Sequence, residues 1–467
     1  MKIKKICLIF VAFLVFFISF TLMGCEENQS IQIEKSDKEF KIGSFYTPFN
    51  GESGAAPYGL QPTDNTVENW QAMKDAGFTF ALPIYDTNNS YVLKSLENAE
   101  KVGIKIYVMD YENPSITNII AKCDNVSYDL VKAELERNTE ALVAKYTEYT
   151  KYESFGGLHA TDEPSVERYD GIAACQDWWY EHFPEYEFFT NLFPSYASEN
   201  QLYGLQEGYT YRDYVNEFCE KVNPSVISYD HYTLMANGLR GYIRPQWLSD
   251  LEAYATASKK YNVPFQIYIL TTQHWGYYAP EYYRDVAWQA YSAMCFGIKG
   301  LQTFTYWGYL KPYNDTNNLG TGLVDALGNK MPVYYACQEL FKEIHSFDEY
   351  YLNFDWVGTM PIGTSGSGTF ALMTDPLEKV SGIKMADATE DALIGEFTDK
   401  KGNTAYMVTN YSLPYDNKSN TVSLEFENAT KLLICKKGKL VEMELKNHKI
   451  DITLGSGEGY FIIPIQN

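Results

Sequence analysis

This sequence is short of the residues that carry most non-hydrolytic chemistry. It holds six histidines and eight cysteines in 467 residues, and neither type gathers. No CxxC and no close Cys/His set occurs, so neither zinc nor a redox pair is indicated. No Gly-rich phosphate loop and no Gly-x-Ser-x-Gly elbow is present, which removes nucleotide and serine-esterase readings. The Gly-rich "GTSGSGT" at 363–369 has no helical pattern after it and reads as a linker. "DTNNLG" at 315–320 opens like a calcium loop, but Leu319 stands at a ligand position and the twelfth position carries no Glu. Positive charge is scarce too: 38 Lys and Arg stand against 60 Asp and Glu, a formal net charge of −22. That balance argues against nucleic acid and against flat binding to anionic lipid. No metal and no cofactor is expected.

A membrane-spanning run is also missing. Lys2, Lys4 and Lys5 precede an apolar stretch from Ile9 to Phe20, well short of the ~20 residues that spanning takes. A basic head, a short apolar middle and Leu22-Met23-Gly24-Cys25 describe a secretory signal. The last four residues resemble the lipobox of bacterial lipoproteins. That resemblance implies a signal peptide over 1–24, cleavage before Cys25 and acylation of its thiol. The mature protein would then be extracytoplasmic, lipid-anchored to the bacterial membrane or cell surface. Residues 25–40 read as a polar tether. Six cysteines remain: Cys123, Cys175, Cys219, Cys295, Cys337 and Cys435. They read mostly as buried small hydrophobes, and their spacing directs no disulfide.

What the chain has in excess is aromatic surface: 16% of residues, including 40 Tyr and 8 Trp. Many stand in polar, loop-like company, as in "HWGYYAPEYY" (274–283) and "YWGYLKPY" (306–313). A Tyr or Trp has an apolar face and a hydrogen-bonding edge. Sugar rings have the same split character, so a glycan cleft and a carbohydrate substrate are expected.

From residue 41 a strand–helix rhythm repeats eight times, ending with a helix over 332–347. Such alternation predicts a parallel sheet, and eight units predict a (β/α)8 TIM barrel over 41–352. After 353, short alternating strands with Gly, Asn and Asp turns predict a small all-β sandwich over 353–467. Catalytic groups in such barrels stand at the C-terminal strand ends. Here those ends carry Tyr46, Asp86, Asp110, Asp162 and Glu163, Asn191, Asp230-His231-Tyr232, Gln273-His274-Trp275, and Tyr306-Trp307. The starts of the same strands are nearly uncharged. His159, His231 and His274 could meet at the mouth, but His159 lies deeper, so a metal trio is not expected.

The sharpest motif is "GGLHATDEPS" (156–165). Alternation sends Leu158 and Ala160 toward the helices, and His159, Thr161 and Glu163 toward the axis. A half-buried Glu163 beside Asp162 should have a raised pKa, which suits a general acid. The bland alternative makes Asp162 a helix cap and Glu163 half of a salt bridge, but Ser165 can also serve as that cap.

Asp162-Glu163-Pro164 resembles the Asn-Glu-Pro that closes strand 4 of clan A retaining glycoside hydrolases, with Asp for Asn. The resemblance implies that Glu163 is the acid/base. "YDHY" resembles the clan's sixth-strand segment, which implies that His231 and Tyr232 contact nucleophile and sugar. "GIKGLQTFTYWGY" resembles the eighth strand of family 42 β-galactosidases, which implies an aromatic sugar floor at Tyr306-Trp307, with Trp307 the better ring. One departure stands out. The clan's strand-7 nucleophile, in a pattern like "WITEFG", is replaced by "ILTTQHWG", so Gln273 occupies the Glu slot. A neutral amide cannot act as the nucleophile.

Three readings follow. Another carboxylate acts as partner, with Asp230 first, then Asp110 and Asp86. Alternatively the substrate supplies its own nucleophile, since adjacent Asp162 and Glu163 resemble the pair of family 20 hexosaminidases. Or the barrel binds glycan without cutting it.

Overall fold

The computed structural model describes residues 33–48, 65–82, 89–205, 207–237, 240–274, 276–308, 320, 322–325 and 328–465. Residues from Lys35 onward form one compact unit. Its first part is the expected barrel. Parallel strands β1 (Lys41–Ser44), β2 (Phe80–Ala81), β3 (Lys105–Val108), β4 (Phe155–Asp162), β5 (Glu187–Leu192) and β6 (Ile227–Asp230) are followed by a small hairpin, β7 (Leu234–Asn237) and β8 (Arg240–Ile243). Strands β9 (Phe265–Leu270) and β10 (Gly300–Phe304) complete the ring. The order is β1-β10-β9-β6-β5-β4-β3-β2, and the amides of Thr79 and Leu82 close it by donating to Ile42 and Ser44.

Local chemistry explains the elements. The helix Tyr211–Val222 opens on a capping box of Thr210 and Asp213 and stops at Asn223, whose φ of 50° is left-handed. Strand β4 can lie against β5 because Gly157, at φ 138°, has no Cβ; one there would sit 1.9 Å from the Glu187 carbonyl oxygen. The barrel axis is filled by rings. Phe80 meets Tyr107 edge-on, Tyr107 meets Phe189, and His159 stacks on Phe189 at 4.7 Å.

The chain leaves the barrel through the helix Pro332–His345 and enters two facing antiparallel sheets. One runs β11-β13-β14-β19-β16-β17 and the other β12-β15-β18. Their ranges are β11 (Asp355–Ile362), β12 (Ile383–Ala388), β13 (Ala392–Thr398), β14 (Thr404–Asn410), β15 (Asn420–Phe426), β16 (Lys431–Lys436), β17 (Lys439–Glu444), β18 (Lys449–Leu454) and β19 (Gly459–Ile465). Strand β15 alternates buried and half-buried residues along its whole length, and Val422 and Leu424 meet Ile394, Val408 and Ile462 in a shared core. The sandwich is docked on the barrel: Trp288 stacks on Tyr411 at 4.9 Å, and the Thr359 hydroxyl donates to the Cys295 carbonyl.

The end of the expected tether is corrected. Lys35 pairs with Glu349 at 2.6 Å, and Phe40 is fully buried edge-on to Tyr351. Residues 35–40 are therefore part of the folded body, because Phe40 gains more from burial than a solvated linker would allow. The signal peptide and Cys25 lie outside the described residues. All six other cysteines are buried and unbridged. Among the described residues no helix is long and apolar enough to cross a membrane.

Candidate active site

Alternation along β4 breaks at Ala160. His159 pairs with Phe189 and Thr161 with Thr190, so β4 carries one extra residue there. This bulge reverses the remaining pattern. Asp162 pairs with Asn191 and turns into the barrel mouth, where its carboxylate accepts from the Asn191 side-chain amide at 3.2 Å. Glu163 then takes a left-handed φ of 48°, held by its amide donating to the Asn191 carbonyl at 2.8 Å. Its side chain also faces the mouth, in a hydrogen bond with Asp230.

Asp230 ends β6 and is buried. Its neighbour Tyr229 points the other way, stacked on Tyr254 at 3.8 Å, as strand alternation requires. The site is therefore three carboxyls from two strands, Asp162, Glu163 and Asp230. Asn191 joins them from β5. Its amide donates to Asp162 at 3.2 Å and to Asp230 at 3.0 Å, while its oxygen accepts from the Ser228 hydroxyl at 2.9 Å. Ser228 in turn accepts from Gln302 at 2.9 Å. That chain of donors fixes which way the Asn191 amide faces.

The electrostatics follow from this wiring. Burial pushes Asp162 up to about 6 and Asp230 up to about 7, and the charge of Asp162 adds to the shift at Asp230. Donation from Asn191 pulls both back toward the ionised form. Glu163 is raised well above the usual carboxyl range, first by burial, then by the charges of Asp230 and Asp162. Two carboxyls in hydrogen-bond contact share one proton, and the Asn191 amide, which donates to Asp230, favours the state with that proton on Glu163. The nearest basic group is the His159 imidazole, 4.0 Å from Asp162 and held neutral by burial.

An aromatic wall surrounds the cluster. Tyr46 contacts Phe304 at 5.8 Å, and Phe304 contacts Tyr232 at 5.3 Å and His274 at 5.1 Å. His274 packs on Tyr277 at 4.5 Å. Tyr196 accepts the Tyr232 amide on its hydroxyl at 3.2 Å, hydrogen-bonds Tyr277 and feels the charge of Asp230. Tyr196, Tyr277 and Arg244 were not singled out in the sequence. They lie in loops after β5 and β9 and after the β7–β8 hairpin, where no periodic pattern marks them.

Several expected site residues stand elsewhere. Asp110 is 1% exposed and turned toward the helix Tyr128–Tyr149, where it pairs with Lys145 at 2.6 Å and accepts from Tyr149. His231 points away from the cleft, its Nδ1 2.9 Å from Asp250. Asn191 spends its hydrogen-bonding capacity on protein groups and so is not free for a sugar. Gln273 is exposed, three residues beyond the end of β9 at Leu270, with buried Thr271 and Thr272 between. The Gln-for-Glu reading therefore does not describe the strand-7 terminus. Tyr306 is fully buried against Phe78, and Trp307 exposes 2% of its surface, so neither offers a face to a sugar ring. Asp86 and Trp275 lie outside the described residues.

The fold has solved counterparts. A protein described as a glycoside hydrolase aligns with a TM-score of 0.51 at 12% identity, covering 93% of this chain and 96% of that one. An Anoxybacillus α-amylase gives a TM-score of 0.48 at 10% identity over 91% and 98% of the two chains. A family 39 glycoside hydrolase from Bacteroides cellulosilyticus WH2 gives 0.46 at 12% identity over 92% and 81%. At such identity the first likeness is one of fold. No protein-family model matches the sequence, and no curated protein matches it either.

Proposed function

We propose that this chain is a glycoside hydrolase in which Glu163 is the proton donor and Asp230 its partner. One observation carries the reading: a hydrogen-bonded Glu163–Asp230 pair at the barrel mouth, wired so that the proton stays on Glu163. Two carboxyls in contact lie nearer the ~5–5.5 Å spacing of retaining enzymes than the ~6.5–9.5 Å of inverting ones. Double displacement follows. Glu163 gives its proton to the glycosidic oxygen as the Asp230 carboxylate bonds to the anomeric carbon and the C–O bond breaks. Water then attacks that carbon, loses a proton to Glu163 and releases Asp230. Asn191 touches no reacting atom; it positions both aspartates and favours their ionised forms.

The likeness of "GIKGLQTFTYWGY" to family 42 makes aryl β-galactosides the first substrates to try, although the buried Trp307 lends no support there. Glu163→Gln should lower kcat/KM for alkyl or nitrophenyl glycosides by ~10²–10⁴-fold and spare dinitrophenyl glycosides, whose leaving group needs no proton. Full activity of Glu163→Gln would remove the assignment. Tight glycan binding without turnover by the wild type would instead favour a non-catalytic surface binder.

The inward turn of Asp162 favours a second reading, substrate assistance, in which Asp162 orients an acetamido group. It requires that 2-acetamido sugars be cleaved and that Asp162→Asn cost more than Asp230→Asn. The N-terminus supports a lipid anchor on Cys25. Intact-mass measurement of membrane-extracted protein, and release of Cys25→Ala to the soluble fraction, test it.

A further inference from the structure

Arg244 is the feature the mechanism leaves unused. The arginines Arg137, Arg168, Arg212 and Arg284 each lie within 4.0 Å of a carboxylate. Arg244 has no carboxylate partner among the described residues, in a chain with 60 acidic side chains. Yet it is firmly placed. It leaves the β7–β8 hairpin with its amide on the Thr233 carbonyl at 2.9 Å. Its guanidinium carbon stands 3.6 Å from the Tyr196 ring centre, and the group donates to the Tyr277 hydroxyl at 3.0 Å and reaches the Tyr232 carbonyl at 3.4 Å.

The hairpin is itself braced. The Tyr415 ring of the sandwich fills the space over Gly241, and its hydroxyl donates to the Met235 and Tyr242 carbonyls at 3.2 and 3.3 Å. The Tyr232 carbonyl that the guanidinium reaches lies two residues along the chain from Asp230, and the Tyr196 hydroxyl under the guanidinium accepts the Tyr232 amide at 3.2 Å. None of the groups named as accepting from Arg244 is charged. Nε and Nη2 of this half-buried cation meet Tyr232, Tyr277 and the Met235 sulfur, which leaves Nη1 without an acceptor among the described residues and able to donate to a carboxylate or sulfate oxygen.

We propose that Arg244 is a specificity residue that binds an anionic substituent on the sugar, a uronate carboxylate or a sulfate ester, next to the bond being cut. The placement beside Asp230 rests on the hydrolase reading; the anion preference in binding does not.

The experiment compares three nitrophenyl glycosides of each sugar configuration: the neutral glycoside, the uronide and the 6-sulfate. The wild type should prefer one charged form over its neutral congener, and whichever form it is identifies the anion. Arg244→Gln should lower the charged-to-neutral ratio of kcat/KM by ~10–100-fold, the loss of a charge-assisted hydrogen bond. Arg244→Lys, which keeps the charge and loses the fork, should fall between. Preference for the neutral glycoside, or an unchanged ratio in Arg244→Gln, overturns the proposal.

If no glycoside is cleaved, the hydrolase reading has failed, and calorimetry decides this one separately. Wild type and both variants are titrated with neutral, uronate-bearing and sulfated oligosaccharides of equal length. Tighter binding of a charged oligomer, lost in Arg244→Gln, supports the proposal. Equal binding, or none of any charged oligomer, overturns it. A folded wild type and Arg244→Lys suffice for either arm if Arg244→Gln does not fold.

Discussion

At the N-terminal rim of the barrel, Lys41 opens β1 and pairs with Glu187, which opens β5, while the Tyr107 hydroxyl donates to the same carboxylate at 2.9 Å. At the C-terminal rim, Asp162, Glu163 and Asp230 face one another with a single amide side chain to share. Both rims belong to the same sheet, and both carry charge, so the expectation of nearly uncharged strand starts is corrected at Lys41, Lys105 and Glu187. One rim neutralises its charge; the other stores it in a partly dehydrated place where, among the described residues, no Lys or Arg pairs with it and the one histidine within 4.0 Å is held neutral. A fold gains nothing from that second arrangement, because desolvated charge without a partner is costly. Such groups mark where chemistry is done. Asp110 sharpens the contrast. It too follows a barrel strand and is buried, but Lys145 compensates it and it faces the helices.

The largest effect expected from breaking this contrast is at Asp230. Asp230→Asn should reduce turnover by ~10⁴-fold or more, with oligosaccharide affinity within a few-fold. Added azide should restore part of the activity as a glycosyl azide whose configuration reports the mechanism. The same change should stabilise the fold. A carboxyl raised to about 7 in the folded state costs stability as pH climbs above its unfolded value near 3.9, and the whole cost is present above about 7. Melting curves should therefore show Asp230→Asn gaining on the wild type at pH 8, on the order of 2–4 kcal/mol, and not at pH 3. Equal or lower stability at pH 8 would contradict the unpaired state of the carboxyl.

Lys145→Met makes the opposite test. It strips the cation from a buried pair and should destabilise the protein by ~3–5 kcal/mol in urea titrations, with kcat little changed. A large loss of kcat in the folded variant would return Asp110 to the site.

Asn191→Ala comes next. Without its two donated bonds, Asp162 and Asp230 hold protons more tightly. Activity needs Asp230 ionised, so the acid limb of the kcat/KM profile, near pH 7 in the wild type, should move to higher pH. At pH 6 the loss should be roughly 10–100-fold. A uniform loss across pH would reduce Asn191 to a packing role.

Lys41→Met should change least. Its pair with Glu187 is about two-fifths exposed at both ends, and such pairs contribute ~0–1 kcal/mol. A shift beyond that range would mean that the lower rim also stores strain.

Much of this was legible in the chain. The eight-fold alternation, the switch to short strands after 353 and the acidic strand ends all follow from side-chain periodicity, which is a local property. Glu163 and Asp230 could be named because each follows an apolar run at a strand terminus. Other positions could not be read correctly. The extra residue at Ala160 is invisible in "GGLHATDE", since any residue can occupy a bulge, yet it reverses Asp162. Trp307 and Tyr306 look like a sugar floor in the chain, but Phe78 and the turn around Gly328 pack beside them. "LTTQ" offers several residues for one strand end, and only pairing decides that β9 stops at Leu270, three residues before Gln273.

The sequence by itself determined the architecture and the chemical character of the mouth, because periodicity and residue type act over a few neighbours. Tertiary structure alone decided which carboxyls meet. Asp162, Glu163, Asn191 and Asp230 come from three strands, and their contact depends on one bulge and on parallel register. It also decided that Arg244, unremarkable in "GYIRPQ", reaches the Tyr232 carbonyl two residues from Asp230, because the hairpin before it is braced by Tyr415 from the sandwich. Distance along the chain says nothing of such meetings, since register and long-range packing set them.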